Sequence, residues 1–230
     1  MKNPEYALIV AGGKGTRMGS ALPKQFIAID GLPILMHTIN AFYAYSSTIQ
    51  VILVLPQEDF STWTSLCERH HFNRPVVLQQ GGATRFQSVK RGLAKIEGDG
   101  LVAIHDGVRP LVSATVIDQS FRIAEKENSA VAAVNLKESI REVQQGGTKA
   151  LDRTKFKLIQ TPQTFKVALI KRAYEMEEDL QLTDDASVAE RGGHSITLFE
   201  GSYDNIKVTT PEDLVFAEAY LQSQKTAKPA

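Results

Sequence analysis

The sequence has little of what marks several common classes of protein. Its 230 residues include one cysteine, Cys67, which excludes an internal disulfide and a zinc site built from several cysteines and fits a reducing compartment. No apolar run reaches the roughly 18–20 residues of a membrane-spanning helix. Lys and Arg total 26, as do Asp and Glu, so no overall field favours nucleic acid or an anionic membrane. We expect a cytoplasmic protein with neither partner, in which any phosphate chemistry comes from a local cluster of positive charge.

Short apolar runs alternate with amphipathic stretches along most of the chain. The apolar runs are rich in Val, Ile and Leu and lack polar alternation, which is typical of buried parallel strands. The other stretches place apolar residues three or four positions apart, which is typical of helices. We therefore predict one α/β domain over residues 1–230, with a mostly parallel twisted sheet and helices on both faces. The predicted strands are Tyr6–Ala11, Gln50–Leu55, Pro75–Gln79, Leu101–His105, Ala130–Val134 and Ser195–Glu200. The predicted helices are Ile34–Ala44, Phe60–His70, Arg85–Lys95, Ala114–Glu127, Lys166–Glu177, Asp184–Arg191 and Pro211–Leu221, followed by a frayed tail over Gln222–Ala230.

The alternation breaks after Val134, where a polar segment follows. Ser139–Val143 and Lys155–Gln160 are predicted as the two strands of a β-hairpin, with a turn at 144–147. We predict that residues 136–160 form a β-arm that protrudes from the α/β domain. A two-stranded arm is marginally stable in water, so it should pack on something, such as a second subunit. The alternative is a solvated excursion of the chain.

The first predicted strand runs into a glycine-rich segment, Ala11-Gly12-Gly13-Lys14-Gly15-Thr16-Arg17. Glycines at this place let backbone N–H groups approach an anion. The spacing matches neither a Walker A loop nor the dinucleotide fingerprint, because Arg17 and Met18 stand where those motifs need other residues. Lys14, Arg17 and Lys24 could together hold a triphosphate and offset charge that grows at phosphorus. The alternative is a turn with solvated cations.

A second motif, His105-Asp106-Gly107-Val108-Arg109-Pro110, follows a predicted buried strand. In sheets of this kind ligands bind beyond the carboxyl ends of the strands. Asp106 could there bind a ribose hydroxyl or a hydrated Mg²⁺, and Arg109 a phosphate. The alternative is a structural Asp106–Arg109 ion pair. We interpret His105 as an oriented imidazole and not as a base.

Three further motifs each have a structural and a functional interpretation. Gly82 and Ser88 could line a pocket for a base, or Thr84 could simply cap the helix that begins there. Thr183 or Asp184 is in a position to cap the next predicted helix. Lys207 is either a fourth cation that points into the cleft or an ordinary surface lysine.

These motifs together resemble a known family. The Ala-Gly-Gly-x-Gly-Thr-Arg-Met loop and the Pro23-Lys24 pair are similar to those of nucleotidyltransferases that join a nucleoside triphosphate to a sugar phosphate. The full set resembles the 2-C-methyl-D-erythritol 4-phosphate cytidylyltransferases, in the right order from about Tyr6 to Leu221. The segments that carry the likeness are Pro23-Lys24-Gln25-Phe26, His105–Pro110, Thr161-Pro162-Gln163-Thr164-Phe165, Thr183-Asp184-Asp185-Ala186-Ser187 and Asp204–Thr209.

The resemblance implies a nucleotide-diphospho-sugar-transferase-like α/β fold, a homodimer that forms through the arm, and Mg²⁺ held mainly by the nucleotide phosphates. It implies CMP transfer from CTP to a sugar (polyol) phosphate, 2-C-methyl-D-erythritol 4-phosphate, in the non-mevalonate isoprenoid pathway. The implied catalytic residues are Arg17, Lys24 and Lys207. The implied nucleotide-binding residues are Ala11, Gly12, Gly13, Lys14, Gly15, Gly82, Ser88 and Asp106, the last also beside the metal. The implied substrate-binding residues are Arg109, Ser139, Arg153, Thr161 and Thr183, with Ser139 and Arg153 reaching in from the partner.

Two alternatives remain beside this resemblance. Ribitol-5-phosphate cytidylyltransferases share the loop and the Pro-Lys-Gln segment, although Asp204 and the Ala186-Ser187 pair favour the methylerythritol enzymes. A catalytically silent nucleotide-binding subunit on the same fold is the second alternative, against which the retention of Arg17, Lys24 and Lys207 argues. Ser139 stands where the family usually has threonine, which keeps the hydroxyl.

Overall fold

A computed structural model describes residues 3–13, 22–179 and 181–226. Within these ranges the chain forms a seven-stranded sheet, two short two-stranded sheets and seven α-helices. The strands are β1 (Glu5–Val10), β2 (Ala28–Ile29), β3 (Leu32–Pro33), β4 (Gln50–Leu55), β5 (Val77–Gln80), β6 (Leu101–Asp106), β7 (Ser129–Asn135), β8 (Ile140–Gln144), β9 (Gly147–Leu151), β10 (Lys157–Lys166) and β11 (Leu198–Glu200). The α-helices are α1 (Ile34–Tyr45), α2 (Phe60–Arg69), α3 (Arg85–Leu93), α4 (Ala114–Glu127), α5 (Val167–Ala173), α6 (Asp185–Arg191) and α7 (Pro211–Thr226).

The main sheet has the strand order β11-β7-β10-β6-β1-β4-β5. β1 pairs in parallel with both β4 and β6, β4 with β5, and β7 with β11, whereas β10 runs antiparallel to its two neighbours. The predicted mostly parallel sheet is therefore confirmed. Because β1, β4, β5 and β6 run in one direction, their carboxyl ends meet at one edge of the sheet.

Helices cover both faces of the sheet, as predicted. On one face α1, α2 and α4 bury apolar residues against alternate strand positions such as Ile9, Leu53 and Ala103. On the other face α3, α5 and α6 pack against the intervening positions, which include Leu8 and Ile104. The two-sided burial explains why these strands are apolar along their whole length.

The predicted hairpin has a different second strand. β8 pairs with β9, and the tight turn between them lies at Gln145-Gly146. The prediction that Lys155–Gln160 returns along Ser139–Val143 is wrong, because Lys157–Ile159 pairs with β7 in the main sheet. The hairpin is therefore shorter than the predicted arm of residues 136–160.

Several other boundaries also differ from the prediction. β10 continues through Thr161-Pro162-Gln163-Thr164, and α5 ends at Ala173 instead of Glu177. α7 extends to Thr226, so the first part of the predicted frayed tail is helical. None of the helices within residues 3–13, 22–179 and 181–226 combines the length and hydropathy that crossing a membrane requires.

Candidate active site

A cleft of about 230 Å³ opens at the carboxyl edge of the parallel strands. It is lined by residues from the ends of β1 and β6, from the turn after β5, from the 23–26 segment and from the loop before α7. The predicted site residues that the structure brings together here are Ala11, Gly12, Gly13, Lys24, Gly82, Ser88, Asp106 and Lys207. Lys14, Gly15 and Arg17 lie outside the described residues, so their predicted roles stay predictions.

Asp106 is the one carboxylate that lines the cleft within the described part of the chain, and it is surrounded by cations. Lys207 Nζ lies 2.9 Å from its Oδ2, Arg109 Nε lies 3.6 Å from the same oxygen, and Arg85 Nε lies 3.7 Å from Oδ1. Burial alone would raise the pKa of Asp106, but the charges of Arg85, Lys207 and Arg109 outweigh burial and lower it well below its usual range. Asp106 is therefore a fixed negative charge that orients three positive ones.

His105 and Thr161 fix the backbone of Asp106 through buried hydrogen bonds. The Thr161 hydroxyl accepts the backbone N–H of Asp106 at 3.1 Å and lies 3.0 Å from His105 Nδ1. His105 Nε2 donates to the Arg109 carbonyl at 3.2 Å, so the neutral ring leaves Nδ1 free to accept from Thr161. Burial lowers the pKa of His105 to about 4. The interpretation of His105 as an oriented, neutral imidazole agrees with this arrangement.

Arg109 anchors the loop that carries Lys207. Its Nη1 donates to the Asn205 carbonyl at 2.7 Å, and the Asn205 side chain donates to the Thr161 carbonyl at 2.7 Å. The Val208 N–H bonds the Val108 carbonyl at 2.9 Å, so the residues on both sides of Lys207 are fixed. The Lys207 ammonium group therefore lies at the cleft, with its side chain 44% exposed, and its predicted role stays a prediction.

The turn after β5 is built around Ser88. Its hydroxyl accepts the Gly82 N–H at 3.0 Å and donates to the Thr84 carbonyl at 2.8 Å, while the Thr84 hydroxyl caps α3 by accepting the Gln87 N–H. A Cβ on Gly82 would lie 2.3 Å from Gln87 Cβ, so only glycine fits. The cap interpretation is confirmed, and the cap also shapes the wall of the cleft.

The sequence analysis gave no role to a buried ionic network that adjoins Asp106. Arg85 holds Asp185 in a bidentate pair, with 2.8 Å from Nη1 to Oδ1 and 2.6 Å from Nη2 to Oδ2, and the Tyr174 hydroxyl donates to Asp185 Oδ1 at 2.6 Å. Burial would lower the pKa of Arg85, but the Asp185 carboxylate outweighs burial and raises it. Burial and the same carboxylate raise the pKa of Tyr174 well above 10. The one feature of the sequence that pointed to this network is the Asp184-Asp185 pair at a predicted helix start.

None of the five predicted substrate residues lines this cleft. Thr161 is buried behind Asp106, and Thr183 is exposed just before Asp184, whose side chain caps α6 by accepting the Ser187 N–H at 2.9 Å. Ser139 and Arg153 are exposed at the base of the β8–β9 hairpin, where Arg153 donates to the Lys137 carbonyl. Arg109 lies beside Asp106 but is almost fully covered.

The described residues contain no group of three or more metal-ligating side chains. Asp106 offers the cleft a single carboxylate, whose Oδ1 is its less engaged oxygen. One carboxylate is the usual protein contribution to a Mg²⁺ ion that is held mainly by substrate phosphates. The donor set therefore fits such an ion and does not fit a metal held by the protein alone.

The chain matches the family model described as IspD: 2-C-methyl-D-erythritol 4-phosphate cytidylyltransferase over residues 6–223. Curated relatives of that name include one from Bacteroides thetaiotaomicron, 49% identical over 94% of this chain and 99% of that protein. Another, from Bacillus mycoides, is 38% identical over 96% of this chain and 99% of that protein.

Solved structures give the same result. The 4-diphosphocytidyl-2C-methyl-D-erythritol synthase of Anaerococcus prevotii aligns with a TM-score of 0.81 at 28% identity, covering 96% of both chains. The bifunctional IspDF of Campylobacter jejuni aligns with a TM-score of 0.78 at 25% identity, covering 93% of this chain and 54% of that one. The chain belongs to the IspD family of 2-C-methyl-D-erythritol 4-phosphate cytidylyltransferases.

Proposed function

We propose that the cleft binds CTP and 2-C-methyl-D-erythritol 4-phosphate, and that the chain transfers CMP to the sugar phosphate with release of pyrophosphate. This is the reaction of the family to which the chain belongs, in the non-mevalonate isoprenoid pathway. The observation that supports it best is Lys207 paired with Asp106 at a glycine-lined cleft. The single cysteine supports the proposed cytoplasmic location.

The proposed reaction is an in-line displacement at the α-phosphorus of CTP. An oxygen of the sugar phosphate forms the new P–O bond as the bond to the β-phosphate oxygen breaks, and pyrophosphate carries the electron pair away. The attacking phosphate is already anionic near neutral pH, so no general base is needed. His105, buried with a pKa lowered to about 4 and outside the cleft lining, is consistent with that.

Catalysis in this proposal is positioning and charge neutralisation. Lys24 and Lys207 contact the phosphates and stabilise the charge of the transition state, and Arg17 is assigned the same role from the family resemblance. The Ala11–Gly13 backbone and the Gly82–Ser88 turn face the cytosine. Asp106 meets the ribose and would hold a Mg²⁺ ion through one carboxylate oxygen; such an ion would offset charge on the phosphates.

The proposal includes a homodimer whose subunits share sites. Ser139 and Arg153 do not line the cleft of their own chain, and both are exposed. The neighbouring hairpin and strand expose large apolar side chains, among them Val143 and Leu158. We propose that this surface packs on a second copy and that Ser139 and Arg153 complete the partner's sugar-phosphate site.

A pyrophosphate-release assay tests the function. It crosses CTP, UTP, ATP and GTP with 2-C-methyl-D-erythritol 4-phosphate and ribitol 5-phosphate. We expect turnover with CTP and the methylerythritol phosphate, and discrimination against UTP by about 10⁴-fold, because a site that reads hydrogen-bonding groups leaves its own polar atoms unpaired with the wrong base. Preference for ribitol phosphate would assign the chain to the sister activity. Calorimetric CTP binding without pyrophosphate release would indicate a silent subunit.

A further inference from the structure

Asp59 ends a 3₁₀ turn, Gln57–Asp59, that continues directly into α2, and its side chain does not cap that helix. Its carboxylate makes no side-chain bond to the first turn of α2 and accepts instead from Gln25 Nε2 at 2.9 Å. Asp59 is 8% exposed and Gln25 is 1% exposed, so the bond is buried. A residue type that ordinarily stabilises a helix start is here committed to a segment 34 residues away.

Stability does not account for this arrangement. Burial raises the pKa of Asp59, and the hydrogen bond from Gln25 offsets only part of the shift. Gln25 Oε1 is buried with no hydrogen-bond partner among the residues that the structure describes. An unsatisfied buried acceptor destabilises the folded chain, because it has lost its hydrogen bonds to water.

The segment that Asp59 holds is the one that carries Lys24. Lys24–Phe26 forms a single 3₁₀ turn, closed by the Phe26 N–H bond to the Pro23 carbonyl at 2.9 Å. The Phe26 ring is buried in the core, and Gln25 is fixed by Asp59, so two consecutive side chains anchor the turn. The Lys24 stem passes over Gly13, where an added Cβ would lie 3.7 Å from Lys24 Cε.

We propose that Asp59 is a positioning residue for catalysis, which acts through Gln25 to fix the direction of Lys24 into the cleft. The inference rests on the proposed role of Lys24 in stabilising charge at the α-phosphate. Without Asp59, the Lys24 turn loses one of its two side-chain anchors and gains rotational freedom. A catalytic group displaced by about 1 Å can lose about 10²-fold in rate, so a modest loss of order is enough to affect turnover.

The first test compares Asp59→Ala with Asp59→Asn. Asp59→Ala should lower kcat about 10- to 100-fold, with KM for the sugar phosphate changed less than about threefold, because ground-state binding does not depend on Lys24 alone. Asp59→Asn keeps an acceptor oxygen for Gln25 and should stay within about threefold of wild type. Glu58→Ala, which removes the exposed neighbouring carboxylate, is the matched control. Equal loss in Asp59→Ala and Asp59→Asn would overturn the inference.

A double-mutant cycle separates positioning from a general structural effect. Lys24→Ala should lower kcat by about 10²–10³-fold, and adding Asp59→Ala should cost less than about threefold more, because the positioned group is already gone. If the two effects multiply, Asp59 does not act through Lys24 and the inference is wrong. Thermal unfolding of each variant identifies any loss that comes from misfolding.

A structural readout distinguishes failure of this inference from failure of the proposed function. The NMR signal of ¹³C-dimethylated Lys24, assigned by its absence in Lys24→Ala, should shift in Asp59→Ala and keep its position in Asp59→Asn and Glu58→Ala. An unmoved signal in Asp59→Ala overturns the positioning role even if the enzyme turns over CTP. A moved signal in a protein that never releases pyrophosphate supports the positioning contact and contradicts the proposed reaction.

Discussion

His105 shows how one buried side chain sets the geometry of the residue beside it. Its ring is fully enclosed, packs edge-on against Phe42 at 5.1 Å between ring centres, and is hydrogen-bonded at both nitrogens. Protonation would place a charge in this enclosed place and remove the acceptor that Thr161 uses. The neutral ring is therefore part of what holds Asp106 at the cleft.

Stability should depend on pH through His105. Burial lowers its pKa from 6.5 to about 4. Between pH 6.5 and 4, His105 is therefore protonated in the unfolded chain but stays neutral in the folded chain. The free energy of unfolding should therefore fall as the pH drops from 6.5 towards 4, by about 3 kcal/mol from this group. Urea denaturation at a series of pH values measures it.

Two variants isolate that contribution. His105→Gln should be less stable at every pH, because it breaks buried hydrogen bonds. Its free energy of unfolding should, however, fall less steeply than that of the wild type between pH 6.5 and 4, since the contribution of His105 is gone. His194→Gln, which replaces a partly exposed histidine away from the cleft, is measured beside it as the control substitution. A His105→Gln slope equal to that of the wild type would show that His105 is charged in the folded protein.

At the scale of elements, the Arg85–Asp185 pair joins the first turn of α3 to the first turn of α6. Asp185 is fully buried, and the Arg85 side chain is 29% exposed. Removing one partner of a buried pair leaves the other charge uncompensated. Asp185→Ala should lower the free energy of unfolding by about 3 kcal/mol, the lower end of the usual range because Arg85 reaches the cleft.

Asp179→Ala is the matched control for Asp185→Ala. It removes a carboxylate that pairs with Arg191, which lies on α6 as Asp185 does. The Asp179–Arg191 pair, however, is partly exposed. Exposed pairs contribute little to stability because solvent screens them, so the urea midpoint should hardly move. Similar losses in both variants would mean that Arg85 finds other partners and that the network does not tie α3 to α6.

The sequence predicted the elements whose burial follows a simple period, and it missed the part of β10 beyond Gln160. Leu101–His105 and Ala114–Glu127 are predictable because burial there repeats along one strand or one helix face. In β10 the buried residues Gln160, Gln163 and Thr164 are polar, and each is satisfied by a distant partner. Such residues look like a loop in sequence, since only the folded chain supplies their partners.

The residues of the candidate site likewise divide into some that the sequence predicts and others that it does not. Asp106 was predictable from a short motif at a strand end, which is where ligands bind in parallel sheets, and Lys207 from the Asp204–Thr209 motif before α7. The bond between Gln25 and Asp59 and that between Arg85 and Asp185 join residues 34 and 100 positions apart. No local pattern marks such a pair, because its partners meet only through the packing of different elements.

For the whole molecule, a net charge of zero conceals a strongly polarised cleft. Three cations, Arg85, Arg109 and Lys207, surround the one carboxylate of Asp106, and Lys24 lines the same cleft. Positive charge is thus concentrated where phosphates would bind, while the remaining surface balances it. Concentration in one place attracts phosphates without making the whole protein bind polyanions.

The β8–β9 hairpin stands apart from the cores, and the proposed homodimer would give it a second copy of the chain to pack on and to share a site with. Val143 is 85% exposed, and residues of both strands are largely exposed. Arg153→Ala should raise KM for the sugar phosphate more than KM for CTP, since a guanidinium grips phosphate bidentately.

Mixing Arg153→Ala with Lys24→Ala chains should restore up to about a quarter of wild-type activity, because half the dimers would be mixed and one of their two sites would carry neither defect. Light scattering and verified subunit exchange are the controls. Full activity of a monomer, or no recovery after exchange, would show that each chain completes its own site.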